Sequence, residues 1–233
     1  PRNLQRRIVE TQVVVYFIEK GTPPDVKFNI FKRINTGGLP LSTQEIRHAL
    51  NQGPVTKYLA DLAASKEFLA ATDNGIRDDR MADRECVLRF LAFTIMPSTG
   101  YKFKDFDSFL SEMMAEINKM SEVERSELNS RFLRAMTTAK NIFGENAFRK
   151  PSPWRKLPIN KPLFESWSVN LGKLSQDDLQ LLEDRKEQVK GKFSQLVRDV
   201  SFQGSISVST GNVSKIKLRF NRIEQLIQEV LTS

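Results

Sequence analysis

Residues 106–117 of the chain read FDSFLSEMMAEI, and their apolar side chains recur every three or four positions. This spacing places them on one face of an α-helix. Comparable stripes occupy residues 81–95, 128–143, 179–200 and 220–230. Because Phe and Met at such spacing usually fill a protein core, we interpret these stripes as packing surfaces rather than as a cofactor site. The sequence therefore predicts a mainly α-helical protein.

Several helix starts are marked by capping residues. Ser42 is followed three positions later by Glu45, and Ser121 is followed by Glu124. A Ser and a Glu at this spacing form a capping box, in which each side chain bonds the backbone N–H of the other residue. A further cap at Ser175 predicts one long helix over residues 175–200.

Residues 13–18, VVVYFI, differ from the rest of the chain. Their β-branched and aromatic side chains run continuously instead of alternating, which predicts a strand buried on both faces. A helix follows from Pro24, with apolar residues Val26, Ile30 and Ile34 on one face. One strand cannot form a sheet, so its neighbours lie upstream or in weaker segments of the chain. The prediction is a mainly α fold with a small α/β part.

Composition excludes several classes of protein. The 233 residues include 39% hydrophobic and 27% charged residues, which is typical of a globular chain. A single Cys and a single His exclude an intrachain disulfide framework, a Cys-based zinc cluster and a His-pair metal site. No apolar run approaches the roughly 20 residues of a membrane span. We expect a cytoplasmic protein with no metal site and no membrane contact. Since the sequence starts at Pro1, we also expect it to be the downstream part of a longer protein.

Positive charge is concentrated in residues 148–161, which contain no acidic residue, although the whole chain carries only +8. Basic side chains can hold a phosphate backbone, and an aromatic ring can stack on a base. A solvated linker would explain the same composition. The nucleic-acid candidates of this segment are Arg149, Lys150, Trp154, Arg155, Lys156 and Lys161.

The most informative motif is FKRINTGGLPLSTQEIR, residues 31–47. It predicts a glycine-containing loop between the end of one helix and the start of another, where the N–H groups of residues 42–44 can receive an anion. A tight turn with a well-capped helix explains the same residues. The candidates for a nucleotide or phosphate pocket are Arg33, Asn35, Thr36, Gly37, Gly38, Gln44 and Arg47. No phosphate-binding G-x-x-x-x-G-K-[ST] or other catalytic motif is present, so the catalytic residues are unknown.

This motif resembles the signature that follows the D-G-Q-Q-R motif in GmrS-type proteins, which are similar to the GmrSD N-terminal domain and belong to the ParB/sulfiredoxin-like superfamily. The resemblance continues in residues 80–90, 161–165, 202–210 and 219–220. It implies that residues 1–100 are the end of a ParB-like α/β lobe, and that residues 101–233 form an all-helical domain.

The resemblance also implies a function. Relatives of this type are linked to nucleotide hydrolysis and to restriction of modified phage DNA, often beside an HNH nuclease domain or subunit. The full-length parent would then use a nucleoside triphosphate and a divalent metal, and Arg33 would lie nearest to a phosphate. D-G-Q-Q-R is absent from residues 1–233, so we expect this chain alone to be inactive. The alternative is a non-enzymatic helical module that binds DNA or docks a protein.

Overall fold

The computed structural model describes residues 2–15, 17–19, 21–34, 39–76 and 78–233. Within these ranges the chain forms α-helices and one 3₁₀ turn at Gly144–Asn146, and no strand. The prediction of a mainly α fold is confirmed, whereas the small α/β part is not shown. The helices are α1 Arg2–Val9, α2 Pro24–Ile34, α3 Thr43–Leu50, α4 Pro54–Ala63, α5 Lys66–Thr72, α6 Ala82–Ile95, α7 Phe106–Lys119, α8 Glu122–Phe143, α9 Lys161–Gly172, α10 Gln176–Asp184, α11 Lys186–Leu196, α12 Val200–Ser205 and α13 Val213–Leu231.

The segment predicted as a strand is irregular and exposed. Residues 11–15 and 17–19 have no regular secondary structure, and Val14 and Phe17 are 79% and 90% exposed. A strand needs a neighbour to pair its N–H and C=O groups, and the described ranges supply no second strand. The prediction of a strand buried on both faces is therefore wrong for the described residues of this segment.

The centre of the molecule is helix α9, which packs against α6, α8 and α13. All of its residues from Pro162 to Gly172 are buried, as expected for a helix that neighbours surround on every side. Small residues make this close packing possible: a Cβ atom added to Gly172 would lie 3.2 Å from the Phe90 ring. The hydroxyls of Ser166 and Ser168 donate to backbone carbonyls one turn earlier, so their burial leaves no unpaired polar group.

Both predicted capping boxes are present, at Ser42 with Glu45 and at Ser121 with Glu124. The long helix predicted over residues 175–200 is wrong in two respects, because the chain breaks between α10 and α11 at Arg185 and α11 ends at Leu196. The Arg185 guanidinium donates to the carbonyl of Val230 at 2.5 Å, which ties the break to the end of α13. A long-range contact therefore overrides the local helical pattern. Among the helices listed above, none combines the length and apolar content that would let it cross a membrane.

Candidate functional site

The start of α3 is joined to the segment before α6. The Ser42 hydroxyl donates to the carbonyl of Arg80 at 3.0 Å, and Arg80 Nε donates to Glu45 at 2.9 Å. The Ser42 N–H also donates to Glu45 at 2.6 Å, and this bond is the main reason that the pKa of Glu45 is lowered. Of the three N–H groups predicted to receive an anion here, the Ser42 group is therefore already occupied by Glu45.

Arg47, predicted to line the phosphate pocket, lies in the interior of the protein. It is fully buried, and its Nη1 donates to Asp107 at the start of α7 at 2.6 Å. Its Nε donates to Gln44, which is 1% exposed, at 3.0 Å. Burial lowers the pKa of Arg47, while Asp107 opposes that shift. This side chain therefore connects α3 to α7, and any ligand that reaches it must enter the protein.

Gln44 and Arg47 nevertheless retain unused donors. Gln44 Nε2 and Arg47 Nη2 are both buried and have no hydrogen-bond partner in the part of the chain that the structure describes. Leaving a buried donor unpaired costs about 1–3 kcal/mol, so an oxygen acceptor placed there would be stabilised. Arg33, at the exposed end of α2, belongs to the helix that packs against α3. The other four candidates of this pocket, Asn35, Thr36, Gly37 and Gly38, lie outside the described residues.

A second set of charged side chains crosses the core and was not found from the sequence. Glu85 accepts from Arg89 at 2.8 Å and from Lys161 at 2.7 Å. Arg89 also donates to Glu165 at 2.7 Å, and Glu165 accepts from Arg219 Nε at 2.9 Å. We call these five residues the buried ion network. It connects α6, α9 and α13 through charges that are mostly removed from solvent.

The network balances each buried charge with an opposite one. Burial alone would raise the pKa of Glu85, but Arg89 and Lys161 lower it to about 2. Burial alone would lower the pKa of Arg89, but Glu165 and Glu85 raise it above its ordinary value. Arg219 donates in addition to the carbonyls of Ser205 and Thr210, which holds the loop between α12 and α13. The network therefore supports the fold, and none of its members was a predicted site residue except Lys161.

The segments that carry the family resemblance meet through these contacts. Residues 31–47 bond to residues 80–90 through Glu45 and Arg80. Residues 80–90 bond to residues 161–165, and Glu165 then bonds to Arg219, which also holds a carbonyl of the 202–210 segment. A signal was available in the sequence for one of these residues, since Glu165 is the only charged residue in the stretch 162–172. That signal does not specify which charges pair.

Arg149, predicted to contact nucleic acid, is an internal anchor. It is 5% exposed, and its guanidinium donates to the carbonyls of Glu145, Leu157 and Thr72 at 3.0, 2.5 and 3.0 Å. A Cβ atom at Gly75 would lie 2.4 Å from its Nη2, so a larger residue at this position would displace the guanidinium. Arg149 thereby holds both ends of residues 150–158, which we call the Trp154 loop.

Of the other nucleic-acid candidates, two pair with carboxylates of the described residues and three do not. Lys161 belongs to the buried ion network, and Lys156 pairs with Asp73 and lies 3.5 Å from Glu145. Lys150 donates to the hydroxyl of Ser207 at 2.7 Å. Trp154 is 91% exposed, and Arg155 beside it is also exposed. The structure therefore places Lys150, Trp154, Arg155 and Lys156 on one loop, with Arg149 beneath it.

Comparison with known proteins adds no relative: no family model, no curated protein and no solved structure matches the chain. Within the ranges that the structure describes, no three His, Cys, Asp or Glu side chains are grouped so that they could hold a metal ion. The function must therefore be inferred from the side chains themselves and from the resemblance of the motifs.

Proposed function

We propose that this chain is the C-terminal, DNA-holding part of a GmrS-like protein of bacterial defence, and that the Trp154 loop contacts the DNA. The observation that carries the proposal is the almost complete exposure of Trp154 on a loop with basic residues. Trp is usually buried or at an interface, because its large ring stabilises a structure only when it is covered. A ring that projects from an anchored loop is suited to stack on a base.

The anchoring keeps the ring available. The Arg149 guanidinium bonds the carbonyl of Leu157, and the N–H of Asn160 donates to the carbonyl of Phe148 at 2.9 Å. The ends of the loop are thus closed in the manner of an Ω-loop, so the indole cannot easily collapse onto the core. Lys150 and Arg155 supply the positive charge for phosphates, whereas Lys156 is partly neutralised by Asp73 and Glu145.

We propose nucleotide-dependent activity only for the full-length parent protein, which we place in the cytoplasm. A D-G-Q-Q-R motif upstream would perform the phosphoryl chemistry with a nucleoside triphosphate and a divalent metal, with an HNH nuclease as the partner. Arg33 and the unpaired donors of Gln44 and Arg47 would complete the wall of that pocket. The exposed apolar residues 13–15 and 17 would be covered by the rest of the lobe. The present chain alone hydrolyses no nucleotide in this account.

The DNA contact is tested by fluorescence anisotropy with a labelled oligonucleotide. Trp154→Ala should weaken binding by about five- to 150-fold, which is the range for loss of one base–aromatic stack. Val123→Ala, which truncates another exposed apolar side chain on α8, should leave binding unchanged. Arg155→Gln should remove one phosphate contact. The slope of log K against log salt should therefore become less steep by the amount that one contact contributes. Unchanged affinity in Trp154→Ala, or an affinity that is independent of salt, would exclude DNA as the partner of this loop.

One observation favours a second function, that of a protein-docking module. Val13, Val14, Val15 and Phe17 are 60–90% exposed, and such a cluster of apolar side chains is typical of a protein interface. A docking module would bind its partner through these residues with little dependence on salt. Substitution of Val14 and Phe17 by Ser would then abolish partner binding and leave DNA binding intact.

A further inference from the structure

A cavity lies beside the Trp154 loop, between that loop, the end of α8 and helix α11. Its volume is about 270 Å³, and its apolar walls are Phe143, Phe193 and Pro151. The two Phe rings meet edge to face with centroids 5.8 Å apart, and Trp167 packs behind both of them. One side of the cavity is therefore made of aromatic side chains that pack against the core.

The charge of the cavity is positive. Arg149 and Lys190 line it, and its lining, which falls wholly within the described residues, includes no carboxylate. The three hydrogen bonds of Arg149 all end on carbonyl oxygens, so its buried charge has no directly bonded counter-ion among the described residues. A guanidinium has five N–H donors, so these three bonds do not use all of them. Lys190 pairs with Glu187, which is 77% exposed, so an anion in the cavity can compete with Glu187 for the Lys190 ammonium group. The cavity therefore favours an anion with an apolar, planar body.

The size of the cavity limits that ligand. Its volume of about 270 Å³ is slightly below the 300–1,000 Å³ of pockets for drug-sized molecules. A cavity of this size is suited to a small ligand such as one base with its sugar. The amide of Asn146 in its lining can both donate to and accept from a base edge.

We propose that this cavity takes one unpaired nucleotide of the DNA strand, while a neighbouring base stacks on Trp154. The inference rests on the proposed function. Ser152 lines the cavity and is two residues from Trp154, so their Cα atoms are at most about 7 Å apart, close enough for neighbouring nucleotides. Both contacts need bases whose faces and edges are open, which a duplex does not offer without unpairing. The site therefore selects single-stranded DNA.

The test compares a labelled 12-nucleotide single strand with the duplex of the same sequence, using the full chain. Wild-type protein should bind the single strand at least about tenfold more tightly. Ser194→Phe fills the cavity and should remove this preference, and Lys190→Gln should reduce it. The matched controls are Gln195→Phe, next to Ser194 on the exposed side of α11, and Lys186→Gln, one turn before Lys190. Both controls should keep the preference.

The outcomes separate this inference from the proposed function. Equal affinity for the two DNA forms, still weakened by Trp154→Ala, overturns the inference and leaves the proposed function intact. The inference is also overturned if Ser194→Phe, shown by its thermal melt to be folded, still prefers single-stranded DNA. If Ser194→Phe does not fold, an unchanged preference for single-stranded DNA in Lys190→Gln overturns the inference. Failure of Trp154→Ala to weaken binding to either DNA rejects the proposed function and the inference together.

Discussion

Glu165 is the residue whose loss should most damage the fold. It is fully buried and accepts from Arg89 at 2.7 Å and from Arg219 at 2.9 Å. Glu165→Gln keeps the shape of the side chain but removes the negative charge and places an N–H donor against a guanidinium. Breaking a buried ion pair in this way costs about 3–5 kcal/mol. In a chain of this size each kcal/mol lowers the melting temperature by about 2–4 °C, so we expect a decrease of about 6–20 °C.

The assay is urea unfolding followed by far-UV circular dichroism, with thermal melts as a second measure. The matched control is Glu187→Gln, which removes an equivalent charge from a side chain that is 77% exposed and pairs with Lys190. That control should change the free energy of unfolding by less than about 1 kcal/mol. A loss below about 1 kcal/mol in Glu165→Gln as well would refute the claim that the buried ion network holds α6, α9 and α13 together.

Further perturbations test the other contacts. The pKa of Glu85 is lowered to about 2, so its contribution to stability is present above the ordinary pKa of a Glu carboxyl and is lost as the pH falls towards 2. The free energy of unfolding, measured as a function of pH, should therefore fall by about 3 kcal/mol over this range. This loss should be absent in Glu85→Gln. Gly75→Ala should displace the Arg149 guanidinium and loosen the Trp154 loop, seen as faster proteolysis within residues 150–158; an unchanged cleavage rate would contradict the anchoring role. Ser42→Ala removes a capping box and should cost about 1 kcal/mol in urea unfolding, and no measurable loss would mean that Arg80 alone fixes the start of α3.

Much of the fold follows from local patterns in the sequence. The stripe of residues 106–117 becomes helix α7, and the capping box at Ser121 starts α8, because helical spacing and caps act within a few residues. The strand predicted at residues 13–18 is absent from the described residues of that segment, because the stability of a strand depends on a neighbour rather than on its own composition. The break at Arg185 also depends on a distant group, the carbonyl of Val230.

The candidate site was less predictable for the same reason. Arg149 and Arg47 look like surface cations in the sequence, yet each is buried by contacts with residues 60 or more positions away. The pairing of Glu165 with Arg219 spans 54 positions and leaves no local pattern. Trp154, by contrast, lies between prolines and basic residues, so its exposure follows from its own neighbourhood.

The most direct test of the account is the indole N–H signal of Trp154 in a two-dimensional NMR titration with single-stranded DNA. The chain has two Trp residues, so a spectrum of Trp154→Phe assigns the signal unambiguously. We expect the Trp154 signal to move progressively and to saturate as the DNA is added, because the exposed ring becomes stacked on a base. A Trp154 signal that stays in place while the protein is saturated with DNA would contradict the central claim.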